Sequence, residues 1–310
     1  MNIEKIYKLF SSNRLFLLIS VTAFIAVRLY SFDTQWDSPS LWGSLVIQIL
    51  IAFYLLQMNN VFNIIQTRTF LPSIFYLFFT GINPIYYYDI KGSVAAFCFI
   101  LCYNYLFDSY QKPESQVNAL NISLLLVLGS LLWSPLLFFI PVFWIGFYNF
   151  KCFNPRVFFS SLTSFIIVYL IIFTLSLLLD NENIFFSLLP HFEKLFLFSK
   201  PDFTILEWLS WGIIFLSFII IGIYLYMFNI SERVWTVSSL YYFYLSALVG
   251  FVFLFTQSEY KSTWGIVISI PLAFLCCYAF STSNKRVMQY LLLLFVLFFI
   301  GIGIAHHLNT

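Results

Sequence analysis

Arg28 is the one basic residue set inside an apolar run of this chain, and Asp33 and Asp37 lie in the short polar stretch that follows. A guanidinium presents a planar fork of donors that matches a phosphate, and a nearby carboxylate can take a proton from an acceptor hydroxyl. Arg28 with Asp33 or Asp37 as base is therefore the first catalytic candidate. An ionisable side chain within a membrane segment is a functional position by default. The plainer account is an arginine that snorkels to the headgroups or pairs with Asp33, beside ordinary solvated loop acids. A second set is Asn59, Asn63, Gln66 and Arg68, spaced along one side of a helical turn whose other side carries Met58, Phe62 and Ile65. These polar residues suit a lipid headgroup or a protein partner, and a surface helix facing water explains them equally well. Ser134, before Pro135, is a third candidate, for lining a substrate or lipid cavity at a break in the helical ladder. A proline-kinked packing corner is the alternative there.

Other chemistries find no support. The three histidines, His191, His306 and His307, lie in loops or at the end of the chain, so no metal site is expected. No Gly-rich phosphate loop of the G-x-x-x-x-G-K-[ST] type occurs, nor a G-x-S-x-G nucleophile turn. No cofactor is expected. Charges inside the apolar runs are nearly absent, which argues against a pump with a carboxylate relay. A net charge of +2 gives no footprint for nucleic acid. The five cysteines form no C-x-x-C pair and read as buried thiols.

The elements that must position these residues are membrane helices. Hydrophobic residues make up 61% of the 310, charged residues 9%, and mean hydropathy is +0.92, whereas a soluble domain is about 25% charged. Residues 1–13 place Ile3, Ile6, Tyr7 and Phe10 on one face, as in a cytoplasmic interfacial helix. The first span runs from Arg14 to Tyr30 and reads as an uncleaved anchor, with Lys5, Lys8 and Arg14 on its inner side. Further spans are expected over 41–57, 70–88, 93–107, 157–179, 208–228, 236–255, 264–280 and 288–305. Residues 180–207 mix charge with Phe-rich pieces and read as an outer-face interfacial loop.

The stretch from Ala119 to Tyr148 decides how these spans are oriented. Its 30 residues would make one helix about 45 Å long, well over the roughly 30 Å of a hydrocarbon core. Pro135 and Pro141 interrupt it. Two short spans or a re-entrant hairpin both return the chain to the side it left. Under that reading ten cationic side chains lie inside and four outside, against eight and six for a single span. Positive residues concentrate on the cytoplasmic side. The expectation is an all-α polytopic bundle forming one membrane domain, of about eleven spans or nine plus a re-entrant hairpin, N-terminus in and C-terminus out.

The runs RTFLPSIFYLFFTG (68–81), FCFILCYNYLFDSYQKPES (97–115), GSLLWSPLLFFIPVFWIGF (129–147) and FNPRVFF (153–159) occur in this order. Over about residues 58–180 the chain resembles an uncharacterised family of multi-pass inner-membrane proteins of Bacteroidota. The resemblance implies a bacterial inner (cytoplasmic) membrane and brings no catalytic residues with it. The outward acids after the first span are similar in placement to the first-loop base of membrane glycosyltransferases that use polyprenyl-phosphate sugars, although the loop here is much shorter than theirs. The expected function is a non-enzymatic component of envelope assembly or a subunit of a larger complex, with membrane lipids and other membrane proteins as partners. A lipid-linked sugar transferase or polymerase is the alternative, and a small-molecule transporter the third.

Overall fold

The computed structural model describes residues 14–30, 38–65, 69–179, 202–228, 233–282 and 301. Among them the chain is helical throughout, with no strand. The helices are α1 (Arg14–Tyr30), α2 (Pro39–Phe62), α3 (Leu71–Ile82), α4 (Ile90–Asp108), α5 (Gln116–Leu132), α6 (Phe139–Asn149), α7 (Pro155–Leu178), α8 (Ile205–Phe228), α9 (Val234–Thr256) and α10 (Lys261–Thr282). Short 3-10 turns occupy Pro84–Tyr86, Ser134–Phe138 and Ser258–Tyr260. Six of the described helices, α2, α4, α7, α8, α9 and α10, are long and apolar enough to cross a membrane, and four shorter apolar segments accompany them. The protein is thus a helical membrane protein. The expected interfacial helix over 1–13, the last expected span over 288–305 and most of 180–207 lie outside the described residues. The end of that last segment is helical, because α8 begins at Ile205.

Local chemistry sets the helix starts. Proline lies in the first turn of α2, α3 and α7, where its missing N–H costs nothing. Asn154 caps α7 by accepting from Val157 N at 2.8 Å. α2 ends on Asn63 in the left-handed region, φ 48°, a conformation that asparagine tolerates better than most residues.

The chain divides into two compact units, 1–93 with 199–310, and 94–198. In the first, α10 packs against α9, α3 and α8, and α3 also packs against α1 and α2. Phe243 stacks on Phe274 at 4.7 Å, Phe253 on Trp264 at 5.1 Å, and Phe75 on Phe280 at 5.6 Å. Gly265 lets α10 approach Tyr86 so closely that any side chain there would meet the tyrosine hydroxyl.

In the second unit α5 and α7 pack along their length. Ser160 and Ser164 of α7 donate to the carbonyls of Gln116 and Leu120, at 2.7 and 2.9 Å, which satisfies hydroxyls that lipid could not. The 17 residues of α5 span about 25 Å, and the 3-10 turn with α6 returns over about the same length. The return is visible in the loops at its open end. Gln111 N donates to Phe150 O at 3.2 Å, Ser115 Oγ to Cys152 O at 3.3 Å, and Asn154 Nδ2 to Pro113 O at 3.0 Å. The 119–148 stretch is therefore a hairpin whose two ends lie together. At its tip Gly129 leaves room for Leu136.

Candidate functional site

One group of polar side chains in the first unit lies at one end, where α1, α3 and α9 finish and α2, α4, α8 and α10 begin. Arg28, in the last turn of α1, is 0% exposed. It neither snorkels nor faces water. Its guanidinium donates to Ser44 Oγ at 3.3 Å and to Gln48 Oε1. The rings of Phe24 and Tyr87 lie over it, at 4.6 and 4.5 Å, the arrangement of a cation held by aromatic faces. Ser44 and Gln48 are one helical turn apart on α2, so both point at the same neighbour.

Both side chains pass the contact on to the segment between α3 and α4. Ser44 Oγ donates to the carbonyl of Tyr87, and Gln48 Nε2 donates to the carbonyl of Tyr86 at 3.3 Å and to Ser93 Oγ at 3.1 Å. Tyr87 Oη folds back to Gly81 O at 2.5 Å. Asp89 ends the segment. Its Oδ1 accepts from Gly92 N at 2.7 Å and so caps α4, while its Oδ2 accepts from Ser262 Oγ at 2.9 Å and Thr263 Oγ1 at 2.6 Å. Residues 83–89 thus form a strap, tied on one side to α1 and α2 and on the other to the start of α10.

A second pair stands at the same end. Glu207 is nearly enclosed, accepts from Thr204 N at 2.7 Å, and meets Lys261 Nζ at 3.0 Å. Thr204 and Glu207 form a capping box on α8, since Thr204 Oγ1 accepts from Glu207 N at 3.3 Å. Lys261 also donates to Asp202 O at 2.9 Å. Asp89 and Glu207 both lie at helix N-termini, where the aligned peptide dipoles favour negative charge. Their oxygens hold helices and loops together rather than facing an open site.

The other expected residues fall elsewhere. Asp33, Asp37, Gln66 and Arg68 lie outside the described residues. Asn59 and Asn63 do not share a water-facing side. Asn63 is exposed at the end of α2, whereas Asn59 is buried and accepts from Ile65 N at 3.1 Å, which closes the turn after the helix. Ser134 begins the 3-10 turn at the tip of the α5–α6 hairpin and is half-buried, in the second unit. The described residues hold no cluster of three or more metal-ligating side chains. Ser44, Gln48, Ser93, Ser262 and Thr263 were not expected at the site. The signal for two of them was present, as two polar residues four apart in the otherwise apolar run LWGSLVIQILIAFYLL.

No protein-family model, curated protein or solved structure matches this chain.

Proposed function

We infer that this protein is a non-enzymatic component of a bacterial inner membrane, acting in envelope assembly or as a subunit of a larger membrane complex. The observation that carries the reading is α7. Val157, Ser161, Ser164, Val168, Ile172 and Ser176 form its one buried stripe. The rest of the helix presents large apolar side chains, among them Phe159, Ile166, Leu170 and Phe173. Such a face suits another membrane helix as well as lipid. Two of the described carboxylates support the same reading, because Asp89 and Glu207 serve as helix caps and clasps.

In this reading the N-terminus is cytoplasmic, the open end of the α5–α6 hairpin is cytoplasmic, and the Arg28 end faces outward. A reporter fused after Asn154 then reads cytoplasmic and one fused at Asn181 reads external. The opposite pair of signals inverts the assignment.

The test of function is native mass spectrometry of the protein extracted in membrane discs. A stoichiometric protein partner is expected. Cysteines placed at Ile166 and Leu170 should cross-link to it. A monomer without partners, carrying a polyprenyl-phosphate sugar, would overturn the subunit reading in favour of the transferase. Arg28, Asp33 and Asp37 would then be the first substitutions to make.

A further inference from the structure

The hydrogen bonds between α7 and α5 fix the depth of the hairpin's open end. Ser160 meets Gln116 and Ser164 meets Leu120, so the two helices run parallel at a constant offset of 44 positions. Ser160 is thus level with the first residue of α5, and Arg156 lies about 6 Å beyond that level. From Arg156 the residues Phe159, Thr163, Ile166 and Leu170 follow at alternating steps of three and four along α7, and all five are exposed. A cation at the head of an outward apolar stripe stands at headgroup depth, with its apolar neighbours in the hydrocarbon below.

Lys151 stands at the same end. Cys152 N donates to Phe147 O and Lys151 N to Tyr148 O, both at 3.0 Å, the paired bonds that close a helix at a left-handed residue. That residue is Lys151, at φ 58°, where glycine is the usual choice. A lysine held there is exposed, between exposed Tyr148 and Phe153. Neither Lys151 nor Arg156 enters an ion pair among the described residues. Of the acids at this end, Asp108 is engaged by Lys112 at 2.7 Å and by Asn118 at 3.0 Å, and Glu114 is exposed. We propose that Lys151 and Arg156 bind the phosphate of an anionic phospholipid, whose acyl chains lie against Phe153 and Phe159. The apolar stripe directly below Arg156 favours a lipid over an acidic segment of protein, which would leave that stripe uncovered. The proposal concerns only the first turn of α7 and the loop before it. Partner capture tests the subunit reading and lipid selectivity tests this one, so either can fail without the other.

The experiment is native mass spectrometry of the full-length protein in maltoside micelles with phosphatidylglycerol and phosphatidylethanolamine added in equal amounts. The unaltered protein should carry phosphatidylglycerol in roughly tenfold preference, in keeping with two cations near an anionic headgroup. In Lys151→Gly/Arg156→Gln that preference should disappear. Glycine suits φ 58°, so this variant keeps the turn after α6 and should elute as the same monodisperse peak. The single Arg156→Gln should show an intermediate preference and serves if the double variant does not fold. Glu114→Gln should raise the preference, because it removes the exposed acid beside the site. Lys91→Ala, an exposed cation at the other end of α4, should leave it unchanged. Equal retention of the two lipids by the unaltered protein overturns the proposal. So does a preference that survives in the folded double variant, or one that falls as far in Lys91→Ala.

Discussion

α10 and α7 are similarly apolar, yet 94% of α10's apolar window is buried inside the protein against 28% of α7's. The difference lies in how many described helices each one meets. α10 packs against α9, α3 and α8 and buries large side chains such as Trp264, Phe274 and Tyr278 beside small ones such as Gly265, Ala273 and Ala279, whereas α7 packs along α5. α7 sets Ser160 and Ser164 against α5 and Ser161 against Trp144 of α6, and turns phenylalanine, isoleucine and leucine outward. In a bilayer the apolar surroundings are the same for protein and lipid, so hydropathy does not drive helices together. Close packing and a few hydrogen bonds do.

Truncation in α10 should therefore give the largest effects. Phe274→Ala removes a fully buried ring stacked on Phe243 and should cost about 3–5 kcal/mol, measured by unfolding in mixed micelles. A cost near zero would mean that α10 is not the centre of its unit. Glu207→Gln comes next, because it removes the partner of Lys261 and weakens the α8 cap, at about 1 kcal/mol by the same titration. Within the second unit, Ser164→Ala deletes the bond to Leu120 O and should cost about 0.6 kcal/mol. Outward changes on the same helix, Ile166→Ala and Leu170→Ala, should fall within about 0.5 kcal/mol in an isolated protomer. A large cost from either would show that this face is covered by protein.

A chemical probe sharpens the contrast where α7 begins. Burial pushes the Cys152 thiol up to about 11, and its Sγ sits 3.4 Å from Phe147 O. Since the thiolate is the nucleophile, maleimide labelling at Cys152 should be slow at neutral pH and rise as pH passes about 10. Fast labelling at neutral pH would mean that the loops closing the hairpin open readily.

Several elements were legible in the chain. The spans expected over 41–57, 70–88 and 157–179 begin within two residues of α2, α3 and α7, which start at Pro39, Leu71 and Pro155. The length of 119–148 together with the count of cationic residues on each side favoured a return, and the hydrogen bonds between its two end loops show one. Arg28 stood out as a charge in an apolar run. Thr204 and Glu207 carried the spacing of a capping box, yet the Phe-rich run before them suggested a surface loop. Asn59 shows the limit of periodicity, since the same spacing serves a residue facing water and one turned inward to close a turn.

The chain by itself determined that this is a helical membrane protein, because backbone polar groups must be satisfied within each apolar segment and a helix does so locally. It also placed most helix starts close to where they are found and favoured a central stretch that doubles back. Tertiary structure decided which apolar helix is enclosed and which is open, and what Arg28 touches. Asp89 meets Ser262 and Thr263 across more than 170 positions of sequence. Contacts of that kind depend on which helices pack side by side, and that depends on shape complementarity among many apolar side chains rather than on any local pattern.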